Sequence, residues 1–162
     1  MAEIASLEAA KVTAGTKLRN DEALGRVHVV SISSPAAAAW AQNDIIASPV
    51  DLPVGTRILG FKVFHNAMGT SVTMDIGLRA SATVDPAQTV IDVDGIADGL
   101  DVAAAGVKSE MSAVGTTGTY IDTADNTVTR LATVANIYAT LLSANPTDDA
   151  QFRIDVYVAL PG

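Results

Sequence analysis

Four aspartates, Asp92, Asp94, Asp98 and Asp101, fall within ten residues of each other in the stretch IDVDGIADGLD, punctuated by Gly95 and Gly99. Carboxylates this close can hold a hard cation, share a proton for acid–base work, or serve as loop and cap residues. A helix-loop-helix calcium loop needs oxygen ligands at its positions 1, 3 and 5, a glycine at 6 and a bidentate acid at 12. Counted from Asp92, positions 1 and 3 fit, but position 5 is Ile96, the glycine comes early at Gly95, and position 12 is Ala103. What survives of the metal reading is an irregular site on Asp92 and Asp94 with backbone carbonyls. The preferred reading is local: Asp94 or Asp98 caps a short helix, accepting backbone N–H bonds at its positive end.

Catalysis by such a cluster needs a second element, such as a histidine or lysine, to set one carboxyl apart from the other. The two histidines, His28 and His65, lie on separate predicted strands, and each is expected to face a surface or a neighbour. Only convergence with Asp75 across a sheet would make a site of them. The phosphate-loop, dinucleotide, nucleophile-elbow and zinc-helix motifs are all missing from the sequence. The glycine-rich VGTTGT at 114–119 lacks the lysine and helix of a phosphate loop. No catalytic residue, no cofactor and no enzymatic activity is expected. Trp40, the single tryptophan, is read as a core anchor, with an interface anchor as the alternative.

The composition agrees with a chain that binds or builds. Its 162 residues suit one domain, and its apolar content of 49% with only 4% aromatics implies a finely divided aliphatic core. Cysteine is absent, so disulfides and thiolate sites are excluded. The net charge is −8, and residues 1–26 are neutral, with four bases and four acids; the rest carries six bases and fourteen acids. So acidic a body repels phosphate, and nucleic acid is not an expected partner. No apolar run approaches the length of a membrane span, and the opening residues lack a signal peptide's basic and apolar regions, so no membrane is expected either.

Two regions follow from the patterning. Residues 1–24 read as an extended N-terminal arm in which Leu7, Leu18 and Leu24 are the candidate partner-binding residues, because leucines are wasted on a free tail. Residues 25–162 read as an antiparallel β-sandwich, jelly-roll-like, with one short helix. RVHVVSISS is a β-branched strand, and Ile45 and Ile46 are read as part of a short strand. LPVGT is a turn. In RILGFKVFH, Leu59, Phe61 and Val63 share a face; in TSVTMDIGLR, Val72, Met74, Ile76 and Leu78 do. The short link NAMG predicts a hairpin between these two. Ile96, Leu100 and Ala103 or Ala104 at helical spacing predict a helix from about Gly95 to Ala105, ended by Gly106. YIDTADNTVTRLATV suggests two strands around Asp125 and Asn126. NIYATLLSA and the alternating QFRIDVYVAL, joined by NPTDDA, close the chain as a hairpin.

The order NDIIASPVDLPVGTRILGFKVFH, TSVTMDIGLRA, VIDVDGIADGLDVAAAG and IYATLLSANPTDDAQFRIDVYVAL resembles small virion structural proteins of tailed bacteriophages, most closely head decoration (cement) proteins. The likeness spans roughly residues 43–160. It implies a β-sandwich body on the outer surface of the capsid, bridging subunits of the major capsid protein, as a homo-oligomer with a trimer favoured. It transfers no contact residue. Two alternatives remain: another virion part such as a tail, connector or fibre protein, and a calcium- or carbohydrate-binding β module.

Overall fold

A computed structural model describes residues 27–34, 40–111, 130–147 and 149–161. The expected arm with Leu7, Leu18 and Leu24, the loop at 114–119 and the turn expected at Asp125 lie outside these residues; of the strands expected beside that turn, residues 130–134 are described and form only an isolated bridge between Arg130 and Arg57. The described chain forms eight strands: β1 (Val27–Ser33), β2 (Ile45–Leu52), β3 (Arg57–His65), β4 (Thr73–Ala80), β5 (Val90–Asp101), β6 (Gly106–Met111), β7 (Ala135–Leu142) and β8 (Phe152–Ala159). They pair antiparallel in two four-stranded sheets, ordered β1-β8-β3-β6 and β2-β7-β4-β5.

The pairing has a simple logic. β1 pairs with β8, β2 with β7, β3 with β6 and β4 with β5, so the chain is one long hairpin folded back on itself. Rolling that ribbon adds the contacts of β3 with β8 and β4 with β7, and closes the jelly-roll-like sandwich. Neither expected hairpin survives this. β3 and β4 lie in different sheets, as do β7 and β8, and each short link carries the chain across the sandwich. The NAMG link does so by burying Met68 and turning at Gly69, whose φ is +113°.

The core is made by alternation from both inner faces. Val72, Met74, Ile76 and Leu78 are fully buried from one side; Phe61, Val63, Ile154, Val156 and Val158 meet them from the other. In β3 the register slips between Ile58 and Gly60, so Ile58 rather than Leu59 shares the inner face with Phe61. LPVGT turns as expected, with Gly55 at φ +87° and the Thr56 N–H donating to the Pro53 carbonyl.

The helix expected over Gly95–Ala105 is absent. Residues up to Asp101 belong to β5, the longest strand. Five residue steps on β4, from Met74 to Arg79, face ten on β5, from Leu100 back to Val90, with three interruptions of register. Each bulge shifts the phase of a strand. Gly95, Ile96 and Ala97 are therefore buried in succession, and the spacing imitates a helix.

Candidate interaction surfaces

The excess length of β5 goes over the outer face of its sheet. Outward positions on β4 are Thr73, Asp75, Gly77 and Arg79, because Met74, Ile76 and Leu78 fill the core. At Gly77 a Cβ would fall within 2.5 Å of the Asp92 carbonyl oxygen and nearer still to that of Val93. The bulge of β5 thus lies on the bare glycine. Tyr138, opposite Gly77 on β7, is covered in consequence: it is only 4% exposed although it points outward. The Arg79 guanidinium lies 5.8 Å from its ring centroid. Burial raises the Tyr138 phenol above its ordinary pKa, and the Arg79 charge partly opposes this.

Beside the bulge runs a groove of about 550 Å³, lined among others by Ile45, Asp75, Val90, Val93, Tyr138 and Leu142. Asp75 is its one carboxylate. Burial raises its pKa, the N–H of Gly99, donated to Oδ1 at 2.7 Å, lowers it, and the charge of Asp98 raises it again. Asp94 is raised chiefly by a hydrogen bond with the Asp92 carboxyl, then by burial and the Asp92 charge. The Asp94 N–H also donates to Asp92 Oδ1 at 3.4 Å. The two candidate metal ligands therefore come together as a pair, and no third metal-binding side chain joins them among the described residues. With no helix present, neither Asp94 nor Asp98 caps one. Asp101 accepts the N–H of Ala103 at 3.0 Å, which turns the chain out of β5.

The other half of this sheet is tied by a polar cluster that the sequence does not single out. Asn136 on β7 donates to the Ser48 carbonyl at 2.9 Å and to Asp51 Oδ1 at 3.1 Å, and accepts from Arg79 Nε at 3.3 Å. Ser81 donates to Asp51 Oδ2. These bonds hold β2 where Pro49 interrupts its ladder, which an edge strand permits.

The histidines do not converge. His28 pairs with Val158 and His65 with Phe152, six residues apart on β8, or about 20 Å at strand rise. Asp75 is on the other sheet. His65 is buried rather than surface-facing; Nδ1 lies 3.1 Å from the Asn66 carbonyl, and Nε2 has no hydrogen-bond partner among the described residues. Trp40 packs partly buried against the core, 5.8 Å from the Phe152 ring, as the anchor reading expects.

The outer face of β1-β8-β3-β6 is different in kind. Val27 and Val29 are 56% and 52% exposed on β1, beside Ala159 and Tyr157. On β3, Phe64 lies between two cations: Lys62 Nζ is 4.8 Å and the Arg153 guanidinium 4.7 Å from its ring centroid. Arg153 also pairs with Asp155 at 2.9 Å, and the Ser31 hydroxyl donates to the same carboxylate at 2.7 Å.

No family model matches the sequence, and no curated protein matches it. Solved structures do match by fold. A chain from the capsid of Ralstonia phage GP4 has a TM-score of 0.60 with 15% identity, over 84% of this chain and 85% of that one. A chain from the capsid asymmetric unit of cyanophage Pam1 gives 0.49 and 16%, over 85% and 86%. One from the acidic stable capsid of Helicobacter pylori bacteriophage KHP30 gives 0.45 and 13%, over 84% and 89%. At 15% identity the GP4 likeness is one of fold: this chain and that one share an antiparallel β-sandwich.

Proposed function

We propose that this protein is a structural component of a phage particle, a decoration protein that sits on the outer surface of the head and bridges subunits of the shell. The observation that carries the proposal is the fold shared with a chain of the Ralstonia phage GP4 capsid over 84% of this chain. Fold alone does not give function, but the site chemistry points the same way. The acidic pair Asp92–Asp94 gathers no third ligand among the described residues, and the histidines stand apart.

The N-terminal 24 residues supply the bridging element, with Leu7, Leu18 and Leu24 seated on a neighbouring subunit. Main-chain pairing to a sheet edge gives such an arm affinity, and many copies add their weak contacts on one particle. An acidic body suits the outside of a head, because the inside faces DNA.

The test is the protein composition of purified particles, with copy number measured against the main shell protein. A simple ratio that fits three-fold or local six-fold positions is expected. Absence, or a handful of copies per particle, would reject decoration and point to a tail or connector part.

A further inference from the structure

The two sheets carry opposite charge, and this is invisible in the linear sequence. The strands of β2-β7-β4-β5 hold six acids, Asp51, Asp75, Asp92, Asp94, Asp98 and Asp101, and one base, Arg79. Those of β1-β8-β3-β6 hold four bases, Arg57, Lys62, Lys108 and Arg153, and two acids, Glu110 and Asp155. A sandwich need not sort its charges by sheet; on the basic sheet Arg57, Lys62 and Arg153 hold outward register positions with Asp155, whereas Lys108 pairs with the buried Val63. Here they are sorted by sheet.

Each face also shows apolar side chains. Ile45, Val90 and Val93 stand 50–54% exposed around the groove of the acidic sheet, whose lining holds Asp75 and Arg79, and Val27, Val29 and Val107 stand 51–56% exposed on the basic sheet. Apolar contact ringed by charge is the composition of a docking surface. From these complementary faces we infer that the acidic, grooved face of β2-β7-β4-β5 docks on the basic, valine-bearing face of β1-β8-β3-β6 of a second copy of this chain.

The geometry has a consequence for assembly. Different patches meet, so the contact is heterologous, and the growing assembly still offers one free face of each sign at its two ends. Copies therefore add head to back, and the series closes into a ring when the rotation between neighbours allows. Two like faces cannot meet, because charges of one sign would be buried together. Asp75 supports the groove as the receiving side. Its carboxylate is partly desolvated and accepts the Gly99 N–H at 2.7 Å, with Arg79 on the same groove wall. The inference rests on the sorting of charge and stands apart from any role in a shell.

The test is sedimentation or light scattering on the full chain. At low ionic strength the unaltered protein is expected to associate, and raising sodium chloride from about 50 mM to about 500 mM should weaken association by roughly tenfold or more. Lys62→Glu on one face, or Asp94→Lys with Asp98→Lys on the other, should each abolish it while far-UV circular dichroism stays unchanged. Mixing the two variants should restore association, because each supplies the sign the other lacks. A monomer at all salt concentrations would overturn the inference, as would association insensitive to salt or to both sets of reversals. The salt series uses the unaltered chain, so a variant that misfolds leaves the inference testable. A monomer found at high copy number on particles would sink this inference and leave the decoration role standing.

Discussion

Gly77 is the residue on which the outer architecture turns. Its missing side chain is where the β5 backbone lies. Gly77→Ala should destabilise the fold by about 3 kcal/mol, because backbone rather than a pliable side chain must move. Gly99 is the control: φ is +58°, and a Cβ there meets nothing within 4 Å. Gly99→Asn should therefore shift stability by less than about 1 kcal/mol, asparagine tolerating the left-handed region. Urea titration of the two variants measures both. Titration gives a second residue-scale prediction. Asp75 and Asp94 have pKa values raised above 3.8 in the folded state. A carboxyl so raised binds its proton more tightly folded than unfolded, so the penalty for ionising it is fully present above the folded pKa. The penalty fades as pH falls toward 3.8. Asp75→Asn and Asp94→Asn should each melt higher than the unaltered protein near neutral pH, the advantage shrinking as pH falls through that window. Asp85 has the reverse sign: bonds from the Thr89 side chain and N–H and the Ala87 N–H lower its pKa, so its contribution is lost only as pH drops below 3.8. The acidic stretch was visible in the sequence as a cluster. Its partner Gly77 was visible only as the third letter of DIGL, since nothing in a linear pattern says which backbone will cross a glycine.

Strands differ in how plainly the sequence wrote them. β4 and β8 alternate apolar and polar residues with period two, and their inner faces fell where the alternation put them. β7 is buried almost throughout, so it has no period. Its outward Asn136 and Tyr138 are covered by the β2 cluster and the β5 bulge. β5 misled because bulges reset its phase three times. Asn136 is the element-scale test. Asn136→Ala should leave the Ser48 carbonyl without its donor and destabilise by about 2 kcal/mol. Hydrogen exchange should localise the loss, with β2 amides exchanging faster and those of β3 and β8 unchanged. Uniform acceleration would mean that the cluster supports the whole sandwich rather than its edge.

At the scale of the molecule, the sequence announced a β-sandwich but not its connections. Both expected hairpins were inferred from short links, and a short link can as well carry the chain over the end of a sandwich. The rolled pairing joins residues far apart, such as Val27 with Ala159 and His65 with Phe152. Non-local pairing of this kind folds slowly, in milliseconds to seconds. Refolding followed by Trp40 fluorescence is expected in that range, since Trp40 reaches Phe152 only when β8 is in place. A microsecond phase carrying the full amplitude would contradict it. The partition of charge by sheet also belongs to this scale. It becomes legible only once β3, β6 and β8 are known to be neighbours.

The placement of β8 between β1 and β3 bears on the life of the protein before it is whole. During translation β1 and β3 emerge early and must wait for the strand that joins them. From His65 to Phe152 there are 87 residues, a wait of roughly 5 to 15 s at ordinary elongation rates. Until then the β1-β8-β3-β6 sheet lacks the strand that joins β1 to β3, and its outer face is unfinished. A nascent chain therefore offers no basic face to a neighbour until its last strand is in place.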